Sequence, residues 1–182
     1  MQTKTARLRY IPELLTLHLE ELEFLWGQRR IAMHSSRHFL RDFVHINERL
    51  EAHIQGLLNV PQALPELLLS QLQAAESRDS VFAAACPLLR LANPELSMQV
   101  VKCFEQADVV TAPGFRDAFS FAPAGQFVNA LKQILHQGDP LHAAYAATAL
   151  ANLRVLDRSN IALNALLLHE DPLMATTAWQ AS

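Results

Sequence analysis

The sequence predicts an all-α protein in two parts: an N-terminal helical hairpin over residues 1–60 and a short α-solenoid of repeats over residues 61–182. Three observations carry that prediction. Leucine, alanine, glutamine and glutamate dominate, with only five glycines and few runs of β-branched residues. Apolar residues recur three and four positions apart, the spacing of a helix face. A phrase is also used twice. Leu135-His136-Gln137-Gly138-Asp139-Pro140-Leu141-His142-Ala143-Ala144 is answered by Leu168-His169-Glu170-Asp171-Pro172-Leu173-Met174-Ala175, about one helical repeat further on.

Residues 1–10 read as a short basic lead-in. A long helix is predicted from Ile11 and Pro12 to about Met33. Leu15, Leu19, Leu22, Leu25/Trp26 and Arg29 share one face, and Leu14, Leu17 and Phe24 widen its apolar sector. Glu13, Glu20 and Glu23 lie opposite, and Arg29-Arg30 near the end suits the helix dipole. Ser35-Ser36 supplies a break and a cap. The second helix is predicted from Arg37 to about Leu58, with a heptad-like seam of Phe39, Phe43, Ile46, Leu50, His53/Ile54 and Leu57. Antiparallel packing on the first helix satisfies that seam. Gly56 and Asn59 weaken its end and Pro61 and Pro65 stop it, which sets the boundary between the two parts near residues 59–65.

The repeat pattern begins at Pro65. Leu67, Leu68, Leu69 and Leu72 mark one helix, and Ser77-Arg78-Asp79 reads as its turn. Val81 to Cys86 starts the next, which Pro87 is expected to kink or cut short. Asn93-Pro94 opens another through Met98, Val101 and Phe104. Residues 107–125 are the least regular stretch, read as a loop with one short helix around residues 114–121. Helices at about 125–137, 140–153, 159–169 and 172–180 complete the chain, the third capped by Ser159 or Asp157. In the repeated phrase, Gly138 is expected to close one helix in the left-handed conformation, Asp139 to cap the next, and Pro140 to fill its first position.

The charge is mildly negative, −3 overall. Residues 1–60 carry eight Lys/Arg against seven Asp/Glu, and residues 61–182 carry seven against eleven. Neither part has the basic excess of a nucleic-acid or anionic-membrane surface. The two cysteines, Cys86 and Cys103, sit in apolar helical runs and read as buried free thiols. No signal-peptide order and no apolar run of about 18 residues is present, so a cytoplasmic setting is expected.

Residues 62–181 resemble HEAT-type helical repeats: a helix, a short Asp-Pro turn, then an alanine-rich helix. The string from Leu19 to Arg30, Leu-Glu-Glu-Leu-Glu-Phe-Leu-Trp-Gly-Gln-Arg-Arg, is followed by Asn47 to Leu57, Asn-Glu-Arg-Leu-Glu-Ala-His-Ile-Gln-Gly-Leu. Together they resemble a proteobacterial family of uncharacterised proteins that joins such a hairpin to HEAT-like repeats and often accompanies type VI secretion loci. The resemblance implies an accessory or adaptor role there and brings no catalytic motif. Members of that family continue beyond the point that corresponds to Ser182, which implies a truncated last repeat.

Several constellations invite chemistry. His38, Asp42 and His45 share one helix face, yet no compact set of further ligands completes a metal shell, and surface histidines are the expectation. Helical-repeat hydroxylases use several His-Glu pairs; here His169-Glu170 has that form and His136-Gln137 does not. A repeat-built DNA glycosylase needs a basic concave face with aromatics, against which the acidic balance of residues 61–182 argues. No phosphate loop, dinucleotide fingerprint or nucleophile elbow is present. No catalytic residue, metal or cofactor is assigned.

Trp26 with Arg29 and Arg30 carries two readings. As an interface anchor the trio suits a protein partner. The bland alternative, which is the expectation, packs Trp26 on the second helix and pairs the arginines with Glu48 or Glu51. Leu173 and Trp179 join the partner-binding candidates, because the last helix leaves an apolar edge suited to a partner or to self-association. The function expected is therefore a non-catalytic scaffold or adaptor, accessory to type VI secretion, with a protein partner and neither nucleic acid nor membrane. The alternatives are an immunity or regulatory protein that binds a neighbouring effector, and a helical-repeat metal-dependent enzyme.

Overall fold

Side-chain oxygens of Ser77, Asn93, Asp139, Asn160 and Asp171 each cap the N-terminus of a helix. The computed structural model describes residues 12–35, 39–60, 62, 64–157 and 160–182. Among these it has ten helices and no strand: α1 (Pro12–Met33), α2 (Leu40–Leu58), α3 (Leu64–Gln73), α4 (Arg78–Arg90), α5 (Pro94–Glu105), α6 (Ala112–Phe121), α7 (Phe127–Gln137), α8 (Pro140–Asn152), α9 (Ile161–Leu167) and α10 (Pro172–Trp179). The protein is all-α over its described residues. No helix among them is long and apolar enough to cross a membrane.

Three of these caps follow from Asx-Pro junctions. Asn93 Oδ1 accepts from the amides of Glu95 and Leu96, Asp139 Oδ1 from Leu141 and His142, and Asp171 Oδ1 from Leu173. Each bond satisfies an amide that the first turn leaves without a helical partner. His142 adds a tie of its own: its ring bridges the Asp139 carboxylate and, at 3.0 Å, the Ala107 carbonyl beyond α5.

Several expectations are corrected. Gly138 has φ −74° and is not left-handed; a Cβ there would lie 2.6 Å from the Ile134 carbonyl oxygen, to which the Gly138 amide donates at 2.8 Å. Among the described residues the left-handed ones are Ala92 (φ 52°) and Arg154 (φ 59°), just after α4 and α8. Pro87 does not cut α4 short, because it lies in the last full turn, where only one amide bond is forfeited before the helix ends at Arg90. The α6 helix starts at Ala112, two residues before its expected start. Asn160, not Asp157, caps α9 by accepting from the Ala162 amide. The expected caps Ser36 and Ser159, the helix starts at Ile11 and Arg37, the stop at Pro61 and residues 1–10 lie outside the described residues.

The apolar sector of α1 is narrower than expected. Leu15, Leu19, Leu22, Leu25 and Trp26 are buried, whereas Leu14, Leu17 and Phe24 are about half exposed. On α2 the buried seam is Leu50, Ile54 and Leu57, and Phe39 stands outside it, exposed. The α1 helix packs on α2 and on α4. Helices α4, α6, α8 and α10 then pack each on the next, while α3, α5, α7 and α9 meet one another in the same order. Two helices are enclosed on nearly all sides: every residue from Val81 to Leu89 in α4 and from His142 to Leu150 in α8 is buried. Alanine suits that position, because a thin helix lets its neighbours close in.

One close approach positions the site described below. A Cβ on Gly114 would lie 2.4 Å from the Arg78 carbonyl oxygen and 2.7 Å from Val81 Cβ. Glycine at this point lets α6 sit directly against the first turn of α4, and Arg78 is brought within reach of Asp117.

Candidate binding cleft

The last turns of α1 and the ends of α4, α6, α8 and α10 enclose a cleft of about 530 Å³. Its floor is made by Trp26, Asp117 and Thr148, all buried. Its rim carries Met33, His34, Asn152 and Gln180, all exposed. The cleft's cations are Arg29 and Arg30 from α1, Arg78 from α4 and Arg116 from α6.

The Asp117 carboxylate organises this floor. Its Oδ1 accepts from Arg116 Nε at 2.9 Å and Nη2 at 2.6 Å. Its Oδ2 accepts from Arg78 Nε at 2.6 Å and from Trp26 Nε1 at 3.1 Å. Four donors saturate the acceptor sites of a carboxylate, so Asp117 is 7% exposed without an unmet hydrogen bond. A carboxylate held this way has no lone pair left for general-base work. Its chemistry is positional: it fixes two guanidinium planes and the indole of three separate helices.

Trp26 lies face to face with Phe82 of α4, ring centroids 3.6 Å apart and planes within 11°. Phe121 closes the stack edge-on, 5.6 Å from Trp26 and 5.7 Å from Phe82. The expectation that Trp26 packs on the second helix is thus corrected: its ring partners lie on α4 and α6. The carboxylate pairing is corrected as well. Arg30 forms a two-pronged bridge to Asp79, at 2.8 Å and 2.7 Å, and this bond holds its guanidinium above the usual arginine range. Glu51 instead receives Arg90 at 2.8 Å and 2.6 Å, and Glu48 lies near His45.

Arg29 differs from the other three. Its Nε donates to Asn47 Oδ1 at 2.8 Å, and its guanidinium lies over the rings of Phe43 (4.7 Å), Trp26 (4.8 Å) and Phe121 (5.7 Å). Among the described residues no carboxylate is within ion-pair distance of it, and none of the undescribed residues is Asp or Glu. Burial pulls the Arg29 guanidinium below its ordinary range, and the charge of Asp117 opposes that shift. The aromatic cradle compensates part of the lost hydration.

No protein-family profile, curated protein or solved structure matches the chain.

The structure brings together three of the five residues singled out in the sequence. Trp26, Arg29 and Arg30 line the cleft. Leu173 and Trp179 do not; they lie on α10 with their side chains 40% and 64% exposed, while Met174, Thr177 and Ala178 form its buried face. Sequence reasoning missed Arg78, Arg116, Asp117 and Asp79. A signal for one of them was present. Asp117 stands among Phe115, Ala118 and Phe119, where a charge on an apolar face demands a buried partner.

The other constellations are occupied differently. The Asp42 carboxylate accepts from the Phe39 amide at 3.0 Å and caps α2; His45 is exposed; His38 lies outside the described residues. His169 Nδ1 accepts from the Asp171 amide at 3.1 Å. Cys86 is a free buried thiol whose surroundings push its pKa up to about 12, which makes it a poor nucleophile; Cys103 is free and partly buried. A second cleft of about 270 Å³, between α1 and the α3–α4 turn, is edged by Glu20 and Glu23, so α1 separates an acidic from a cationic hollow.

Proposed function

We propose that the protein is a non-catalytic binding module, an adaptor or accessory factor that engages a protein partner through the arginine-lined cleft. The observation that carries this reading is the Asp117 network. It commits the cleft's buried acid to four donors and leaves a set of fixed cations lining the cleft. Such an arrangement binds an oppositely charged group without reorganising, which is the condition for a preorganised interface. It offers a partner rigid donors at the floor and amide groups at the rim, and no activated nucleophile.

The finer architecture belongs to the same proposal. The helices are read as an N-terminal hairpin (α1–α2) followed by a short HEAT-like α-solenoid (α3–α10). The order of packing supports that reading: the even-numbered helices from α4 to α10 form one layer and the odd-numbered helices from α3 to α9 the other. The cleft then lies on the even-numbered layer, roofed by the end of α1. The sequence resemblance adds bacterial type VI secretion as the setting, and the two cysteines of apolar helical runs, read as free thiols, favour the cytoplasm as the compartment.

Co-purification tests it. The tagged chain is expressed with each product of the genes that flank its own, and complexes are sized by light scattering. A stoichiometric complex with one neighbour is expected. Retention of none of them contradicts the adaptor reading.

A further inference from the structure

The cleft's charges do not cancel. Four arginines face two carboxylates, Asp79 and Asp117, which leaves an excess of two positive charges in a chain whose net charge is −3. Both carboxylates are committed to Arg30, Arg78 and Arg116. Arg29 has no carboxylate of its own among the described residues and is half-stripped of water by three rings. Arg78, which lines the cleft, spends only its Nε on Asp117, and its two terminal nitrogens have no hydrogen-bond partner among the described residues.

We infer that the cleft binds the carboxylates of an acidic peptide segment, with Arg29 and Arg78 as the receiving guanidiniums. The inference rests on the binding-module reading and names the chemistry that such a partner presents. Guanidinium forks match carboxylates two bonds at a time, and a desolvated fork gains most from an anion that restores its lost partners. The walls suit a peptide as well: Met33 and Phe121 offer apolar contact, and the Gln180 amide, together with the Asn152 Oδ1 that remains once its Nδ2 donates to Ser120 Oγ at 3.0 Å, can serve a backbone. Gln180 Oε1 already accepts from Arg116 Nη1 at 3.1 Å, so its amide hydrogens remain for an incoming carbonyl.

A nucleic acid fits these observations less well. Two excess charges confined to one hollow do not make the extended track that a phosphate backbone follows, and the net negative chain repels a long polyanion. One or two carboxylates match the excess and meet little of that repulsion.

Fluorescence anisotropy at low salt tests the assignment with labelled peptides of alternating glutamate and alanine, the same peptide with glutamine for glutamate, and a single-stranded oligonucleotide. The glutamate peptide is expected to bind, and the glutamine peptide about tenfold or more weakly. Arg29→Gln is expected to weaken glutamate-peptide binding about tenfold, Arg29→Lys by less, and Arg41→Gln, on the exposed side of α2, not at all. Thermal melts show whether each variant folds; Arg29→Lys keeps the charge on the aromatic cradle and serves where Arg29→Gln does not fold. Equal binding of the two peptides, unchanged binding by the Arg29 variants, or tighter binding of the oligonucleotide overturns the inference. A flanking gene product retained equally by wild type and Arg29→Gln leaves the binding-module reading standing and overturns this one. Selective peptide binding with no neighbour retained leaves this inference standing and overturns only the adaptor role beside a flanking gene product.

Discussion

At the scale of single residues, Asp117 is the group on which most depends. It is buried, and it ties Trp26, Arg78 and Arg116 from α1, α4 and α6 through one carboxylate. Replacing it by asparagine keeps the shape and removes the charge, so Arg78 and Arg116 are left as partly buried cations without a counterion. Breaking one side of such a pair costs about 3 kcal/mol. Asp117→Asn is therefore expected to lower stability by roughly that amount in urea denaturation, well beyond the about 0.5 kcal/mol of an ordinary surface change. A change no larger than the surface value contradicts the central role given to this carboxylate. Arg30 and Asp79 are a contrasting case: their bridge is about a quarter exposed and water screens it, so its part in stability is smaller.

At the scale of helices, contact distance decides the architecture. Gly114 lets α6 rest on the Arg78 carbonyl. An alanine methyl there must push α4 and α6 apart or distort one of them, at a cost of about 1–3 kcal/mol. Gly114→Ala is expected to lose that stability in thermal or chemical melts and, because the shift moves Arg78 relative to Asp117, to weaken acidic-peptide binding as well. An unaltered melt means that the helices have slack the structure does not show. Element identity was readable in advance where the cues were local. The Asx-Pro junctions at Asn93, Asp139 and Asp171 act through residues two and three positions away, and there the structure agrees with the sequence reading. Cues that depend on distant packing failed. Leu14, Leu17 and Phe24 are as apolar as the buried residues of α1, and only the placement of α2 and α4 determines which side of the helix is covered. Propensity alone points Gly138 to a left-handed turn, whereas its role is to clear the Ile134 carbonyl.

At the scale of the whole molecule, the cleft exists because helices far apart in sequence converge. Trp26 and Asp117 are 91 positions apart, and Arg116 and Gln180 are 64 apart. Composition hid the result. Residues 61–182 are net acidic, yet their Arg78 and Arg116 meet Arg29 and Arg30 of the first helix on one face, and the acidic Glu20 and Glu23 collect around another hollow. A charge balance taken along the chain averages over both. The Trp26-Arg29-Arg30 string pointed to the right turn of α1, but its partners could not be read from it, since Asp79, Phe82 and Asp117 become neighbours only through the packing of α4 and α6 on α1. The exposed Leu173 and Trp179, and the outward Leu17, Phe24 and Ile31 of α1, are apolar surface that stays open among the described residues.

The claim that these arginines form a pinned cleft able to receive acidic side chains is tested most directly by NMR of the arginine Nε–Hε groups, before and after the glutamate–alanine peptide is added. The expected spectrum shows slow hydrogen exchange for Arg29, Arg30, Arg78 and Arg116, whose Nε atoms donate to Asn47, Asp79 and Asp117, and fast exchange for Arg41, whose side chain is 82% exposed. The peptide is expected to move the Arg29 and Arg78 signals and leave Arg41 in place. Four cleft arginines that exchange as fast as Arg41 and do not respond to the peptide would contradict the account.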